Sequence, residues 1–115
     1  MKSENPRILS GIRVLVIDDE ADALTITGLM LALYQAEVIA SSNAANGLEK
    51  LQRHKPDIIV SDLSMPRMDG YQFIQAVRNL PVEQGKNTPA VALSAFNRVE
   101  ERVRASNAGF SKVSL

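Results

Sequence analysis

Short apolar runs alternate with amphipathic stretches along most of the chain. The first run, residues 12–17, is nearly all apolar and lacks a two-residue alternation, which is typical of a strand buried on both faces of a parallel sheet. Residues 37–40, 57–61 and 89–93 have a similar character, and residues 110–115 begin a further apolar segment. The pattern therefore predicts four strands and the start of a fifth.

The stretches between these runs have the spacing of amphipathic helices. Helices are predicted over residues 21–35, 44–54, 70–80 and 98–108. Asn43 and Asp69 are suitable N-caps for the second and third helices. Asn97 with Glu100 resembles a capping box for the fourth, and Gly109 is a suitable residue to follow it.

Strands and helices alternate strictly, which predicts an open α/β domain with a parallel sheet and helices on both faces. The 115-residue length fits one such domain. Residues 1–11 are expected to be a leader or linker, and residues 12–115 the domain. Residues 81–88 are expected to form a surface loop.

Composition narrows the possible functions. Thirteen basic and thirteen acidic residues give zero net charge, so nothing predicts binding to nucleic acid or anionic membranes. No cysteine is present, and the only histidine, His54, is expected at a helix end; thiol and zinc chemistry are therefore not expected. No signal peptide or apolar run long enough to span a membrane is found, which favours a cytoplasmic protein.

Polar side chains follow three of the predicted strands. Asp18 and Asp19 end the first strand, Asp62 ends the third, and Ser94 ends the fourth. In an open α/β sheet these carboxyl ends meet at one edge, where ligands bind. Two carboxylates about 4 Å apart repel by roughly 4 kcal/mol at an effective dielectric constant near 20. A protonated member, a basic side chain or a hard cation must offset this repulsion.

Oxygen-only ligands favour Mg²⁺ or Mn²⁺ as that cation. A simpler interpretation is open for the first motif, because acidic residues are common in a solvated turn before a helix N-terminus. Asp62 alone is also an ordinary turn residue. The combination with Ser94 at the next strand end favours a functional site.

Three motifs resemble the receiver domain of two-component response regulators. They are VIDDE at residues 16–20, DIIVSDLSMPRMDG at 57–70 and AVALSA at 90–95, and the second is the most specific. The resemblance extends over residues 12–115. It implies a flavodoxin-like (CheY-like), doubly wound parallel sheet of strand order 2-1-3-4-5 in three α/β/α layers.

The resemblance also implies roles for the acidic residues. Asp62 would accept a phosphoryl group from a histidine kinase or phosphotransfer protein. Asp19 would bind Mg²⁺ directly and Asp18 through water, with Asp62 and the main-chain carbonyl of Ser64 completing the metal site. Ser94 would hydrogen-bond a phosphoryl oxygen and move on phosphorylation, switching an interaction surface. Ala95 would leave access to the phosphate, and Phe96 is expected to border the site.

The chain departs from the family near its C-terminus. The family's fifth-strand lysine would fall just after Leu115, Lys112 is too early to replace it, and Val113 stands at the position of the switch aromatic. Without the last helix, one face of the sheet is expected to be open to water. Self-association through this face, a domain swap, or a need for a partner or a further C-terminal segment is therefore expected. The opening segment favours a fragment of a larger regulator or hybrid kinase.

Other functions are open to a chain with this pattern of strands and helices. A degenerate receiver that acts as a phosphorylation-independent interaction module is the main alternative. A flavin or nucleotide binder would need a Gly-rich loop after the first strand, and a metal-dependent phosphohydrolase would need an acid where Ser64 stands. No enzymatic activity of its own is expected. The charges at residues 98–104 are expected to form a solvated helix face with i,i+4 pairs, and a partner-binding surface is the alternative.

Overall fold

A computed structural model describes residues 7–94 and 98–114. Five parallel strands form one sheet in the order β2-β1-β3-β4-β5, and the described residues include four α-helices. In chain order the elements are β1 (Arg13–Ile17), α1 (Ala21–Leu33), β2 (Glu37–Ser41), α2 (Ala44–His54), β3 (Ile58–Asp62), α3 (Gly70–Arg78), a short 3₁₀ turn (Val82–Gln84), β4 (Ala90–Leu93), α4 (Val99–Ala108) and β5 (Lys112–Ser114). The predicted flavodoxin-like topology is confirmed.

Strand register aligns the carboxyl ends of the central strands. Ile17, the last residue of β1, pairs with Ser61, and Asp62 of β3 pairs with Leu93 of β4. Because the strands are parallel, the residues that follow these paired positions on each strand lie at the same edge of the sheet. This register places the ends of β1, β3 and β4 beside one another.

The predicted caps of the second and third helices are confirmed. The Asn43 side chain accepts the backbone N–H of Asn46 at 2.7 Å. The Asp69 carboxylate accepts the N–H of Gln72 at 2.9 Å, and the Gln72 side chain accepts the N–H of Asp69 at 3.0 Å. Each cap satisfies a donor that the first helical turn leaves unpaired.

The start of α4 differs from the prediction. Asn97 lies outside the described residues, and the helix takes Arg98 as its N-cap. The acid three residues later is therefore Glu101, whose carboxylate accepts the Arg98 N–H at 3.4 Å, and not Glu100. Gly109 follows the helix with a φ of 130°, as its predicted position after the helix requires.

The main core lies between one face of the sheet and helices α2, α3 and α4. Its fully buried members include Leu15, Ile17, Leu51, Ile59, Phe73, Ile74 and Val77. Burying each such side chain contributes about 1.5–3 kcal/mol. A β-carbon on Gly47 would lie 2.7 Å from Ile17 Cδ1, so the glycine lets α2 approach β1 closely.

The other face of the sheet is covered by α1 over β1 and β2. Val14 and Val16 are buried there, whereas Val60 and Val91 on β3 and β4 are only half-buried. α1 ends at Leu33, before the predicted residue 35, where Gln35 takes a φ of 72°. Its outer side exposes four large apolar side chains, Ile26, Leu29, Met30 and Leu33. Self-association through the uncovered part of this sheet face stays a prediction.

Candidate functional site

Three carboxylates meet at the carboxyl edge of the sheet. Asp18 and Asp19 directly follow β1, and Asp62 is the last residue of β3. One carboxylate oxygen from each of the three lies within 4.8 Å of the others. Asp18 is buried, Asp62 half-buried and Asp19 exposed, so the cluster opens to solvent on one side.

Backbone contacts hold two of these carboxylates. Asp18 Oδ1 accepts the N–H of Glu20 at 3.0 Å, and the N–H of Asp18 donates to the carbonyl of Ser41 at 3.1 Å. Asp62 Oδ1 accepts the N–H of Ser64 at 3.3 Å. The loops that follow β1 and β3 therefore fix the orientation of the side chains that the site uses.

Gly70 allows α3 to begin against the end of β3. A β-carbon at this position would lie 2.3 Å from the backbone oxygen of Asp62 and 2.8 Å from Cα of Leu63. Both neighbours are backbone atoms, so neither can move aside as a side-chain tip can. Gly70 is the last residue of the second motif, and its sequence context does not show this steric requirement.

The site is strongly acidic. Burial raises the pKa of the Asp62 carboxyl above its usual value, and the charges of Asp18 and Asp19 raise it further, while the N–H groups of Ser64 and Leu63 oppose these effects. In the described part of the chain, no lysine or arginine lines the cavity, which is bordered by Asp18, Asp19, Glu20, Asp62, Leu63, Ser64, Leu93, Ser94 and Glu101. Such a set of oxygen ligands without a counter-charge fits a hard divalent cation.

Ser94 lies one residue beyond β4, buried at the wall of the same cavity. Its Oγ donates to Glu101 Oε1 at 2.5 Å, and its N–H donates to the carbonyl of Ser114 at 2.8 Å. The hydrogen bond from Ser94 is the main cause that holds the pKa of Glu101 below its usual value. The N–H and the charge of Arg98 lower this pKa as well, and burial opposes them with a smaller effect than that of Ser94. Glu101 thus adds another carboxylate to those of Asp18, Asp19, Glu20 and Asp62 around the cavity.

Glu101 was expected on a solvated face of α4, and its contact with Ser94 was not predicted. The prediction is therefore wrong for Glu101. Arg104 is exposed as predicted, and its guanidinium also stacks on the Tyr71 ring at 3.8 Å from its centroid. Glu100 and Arg102 are exposed, as predicted. The capping pattern was the available signal, but it was placed one residue too early.

The remaining predicted site residues are placed as follows. Ser64 borders the cavity, whereas Ala95 and Phe96 lie outside the described residues. Lys112 is exposed on β5 and does not border the acidic cavity. Phe73 is fully buried and belongs to the core. Within the ranges 7–94 and 98–114, no helix is both long and apolar enough to cross a membrane.

Comparison with known families agrees with this geometry. Residues 14–113 match the model of the response regulator receiver domain. The chain therefore belongs to the response regulator receiver domain family.

Relatives in this family differ in length. The chain is 40% identical over 103 residues to an uncharacterized 14.6 kDa protein from Leptolyngbya boryana, with 90% of this chain and 77% of that protein covered. It is 35% identical over 97 residues to the transcriptional regulatory protein PrrA of Mycobacterium bovis, covering 84% of this chain but 40% of the regulator. The chain thus spans less than half of that longer regulator.

Solved structures share the fold. The receiver domain of the histidine kinase CKI1 from Arabidopsis thaliana, in complex with Mg²⁺, superposes with a TM-score of 0.85 at 27% identity, covering 95% of this chain and 86% of that one. The chemotaxis protein CheY4 of Vibrio cholerae gives a TM-score of 0.82 at 28% identity, covering 89% and 83% of the two chains. These similarities support the family assignment and the topology.

Proposed function

We propose that this chain is a phosphoacceptor receiver domain in which Asp62 takes a phosphoryl group from a histidine kinase or phosphotransfer protein. The observation that carries the proposal is the convergence of Asp18, Asp19 and Asp62, with carboxylate oxygens within 4.8 Å at the open end of the sheet. Membership of the receiver family supports the same assignment.

In the proposed mechanism the nucleophile is a carboxylate oxygen of Asp62. One carboxylate oxygen is held by the N–H of Ser64, which leaves the second oxygen to attack phosphorus. The new oxygen–phosphorus bond forms as the bond from phosphorus to the donor histidine nitrogen breaks, and that nitrogen keeps the electron pair. Because such transfers pass through a loose transition state, the protein contributes mainly by positioning and by balancing charge.

The acidic residues would hold a divalent cation at this site. Asp19 would bind Mg²⁺ directly and Asp18 through a water molecule, with Asp62 and the Ser64 carbonyl as further ligands. When bound, the cation would neutralise the carboxylates and the oxygens of the transferred group. The receiver domain of CKI1 from Arabidopsis thaliana was solved in complex with Mg²⁺, which supports Mg²⁺ as the cation proposed here.

Phosphorylation would then act as a switch. It adds about −1.5 to −2 charges at neutral pH beside the existing acids. Ser94, at the next strand end, would donate to a phosphoryl oxygen and pull on the segment that leads to α4. The changed surface around α4 would be read by a partner protein, and the chain would need no catalytic turnover of its own.

The direct test measures phosphorylation of the purified chain. Incubation with acetyl phosphate and Mg²⁺ is expected to add one phosphoryl group, seen by intact-mass spectrometry, and beryllofluoride with Mg²⁺ is expected to shift amide resonances near Asp62. Asp62→Asn should abolish both effects. Asp22→Asn is the matched control, because Asp22 is an exposed acid in the first turn of α1 outside the cavity.

A wild-type chain that neither gains mass nor responds to beryllofluoride would overturn the proposal. A phosphorylation-independent interaction module would then be the better description.

A further inference from the structure

The hydroxyl of Ser94 is engaged by a carboxylate of the same chain. Its Oγ donates to Glu101 Oε1 at 2.5 Å; Ser94 is only 4% exposed, and Glu101 is half-buried at the wall of the same cavity. Hydrogen bonds to a charged acceptor are about twice as strong as neutral ones. The serine thus has a strong acceptor before any phosphoryl group is present.

The same oxygen of Glu101 connects Ser94 to the start of α4. Oε1 also accepts the backbone N–H of Arg98, at 3.4 Å. One carboxylate oxygen therefore joins the end of β4 to the first turn of α4. Loss of the contact with Ser94 would change the surroundings of the helix N-terminus, where backbone N–H groups lack partners within the helix.

A phosphoryl group on Asp62 would compete with Glu101 in two ways. It would need the Ser94 hydroxyl as a donor, and a hydroxyl has one proton to donate. It would also place negative charge in the cavity that Glu101 borders, and like charges repel. The two acceptors therefore favour different positions of the same serine.

We propose that Glu101 is a carboxylate latch that holds Ser94 in the unphosphorylated arrangement and is displaced by the phosphoryl group. The inference rests on the proposed function, since it needs a phosphoryl group at Asp62. Glu101 is a positioning residue here. It acts through Ser94 and sets the equilibrium between the two arrangements of that serine. A ligand shifts such an equilibrium only by its difference in affinity for the two states.

The test uses beryllofluoride with Mg²⁺ as the phosphoryl analogue, titrated by NMR into the chain. Removing the latch with Glu101→Ala is expected to tighten beryllofluoride binding roughly five- to tenfold, because the analogue no longer competes for Ser94. In the ligand-free variant, amide resonances of residues 98–104 should move toward the positions that the wild type takes with beryllofluoride.

Two controls separate the latch from simpler effects. Glu100→Ala removes an acid from the same helical turn, outside the cavity that holds Asp62, and should leave affinity unchanged. In a Ser94→Ala background, Glu101→Ala should give a clearly smaller gain, because only the charge repulsion is left to relieve. A gain of undiminished size in that background would mean that Glu101 acts only by repelling the anion, and it would overturn the latch.

The result also separates the latch from the proposed function. If the wild type fails to bind beryllofluoride, the proposed function fails. If the wild type binds but the folded Glu101→Ala variant, checked by circular dichroism, binds no more tightly, the latch alone is wrong. Glu101→Gln, which keeps an acceptor oxygen without the charge, should fall between the wild type and Glu101→Ala.

Discussion

A β-carbon on Gly70 would lie 2.3 Å from the backbone oxygen of Asp62, a separation at which the chain must shift. The first residue of α3 is thus tied to the position of Asp62, the proposed nucleophile. Because the obstacle is backbone, the strain of a larger residue would fall on the segment that orients the Asp62 side chain.

We therefore expect Gly70→Ala to destabilise the fold by about 1–3 kcal/mol, the usual cost of overpacking, and to slow phosphorylation by acetyl phosphate. Urea unfolding and intact-mass kinetics measure the two effects. Gly28→Ala is the control, since its β-carbon would lie at an ordinary 3.5 Å from Val38 Cγ1 and alanine favours a helix interior. Equal stability of the two variants would contradict the steric explanation.

The raised pKa of Asp62 predicts a stability effect without metal. For an acid whose pKa is higher in the folded state, the stabilising contribution is full below the unfolded-state pKa and is lost as pH rises through the folded-state pKa. At neutral pH the charged carboxylate is unfavourable, so Asp62→Asn should be more stable than the wild type in EDTA. Urea unfolding at a series of pH values should show this advantage growing from acid to neutral pH. A wild type that is the more stable protein at neutral pH would show that burial and the neighbouring charges do not make the Asp62 carboxylate unfavourable.

Magnesium should reverse the penalty of the clustered acids. A ligand that binds only the folded state at one hundred times its dissociation constant stabilises it by about 2.7 kcal/mol. Wild-type melting temperature should therefore rise with Mg²⁺ concentration, and the rise should be much smaller in Asp19→Asn. Asp22→Asn should respond like the wild type. An equal response in Asp19→Asn would remove that residue from the metal site.

The contact between Ser94 and Glu101 predicts a pKa change. The hydrogen bond from Ser94 is the largest cause that lowers the pKa of Glu101, so Ser94→Ala should raise this pKa toward its ordinary value. Glu101 stabilises the fold above its unfolded-state pKa, and this contribution is lost as pH falls through its folded-state pKa. In Ser94→Ala the two pKa values lie closer together, so the fold should lose less stability from Glu101 on acidification. Side-chain carboxyl NMR titration of Glu101 in the wild type and in Ser94→Ala follows the group directly. An unchanged titration would indicate that the hydrogen bond is absent in solution.

The acidic edge could be predicted because it depends on strand order and on where apolar runs stop. Asp18, Asp62 and Ser94 each follow such a run, and parallel register then brings them together. Glu101 could not be placed in this way. Its approach to Ser94 depends on where α4 begins and on the tilt of that helix, and a shift of one residue rotates a helical side chain by about 100°.

The packing constraint at Gly70 was hidden for a similar reason. A glycine after an aspartate is an ordinary turn signal, and only the distance to the Asp62 carbonyl shows that a β-carbon does not fit. The stacking of Arg104 on Tyr71 likewise joins two helices that are far apart in sequence. Such contacts follow from tertiary packing and leave no local pattern.

The position of the phosphoryl group tests the central claim most directly. After acetyl phosphate treatment with Mg²⁺, borohydride reduction converts an aspartyl phosphate to homoserine, which peptide mass spectrometry locates. The proposed mechanism predicts the conversion at residue 62 and its absence in Asp62→Asn. Reduction at another residue, or an acid-stable phosphate ester in place of an acyl phosphate, would contradict it.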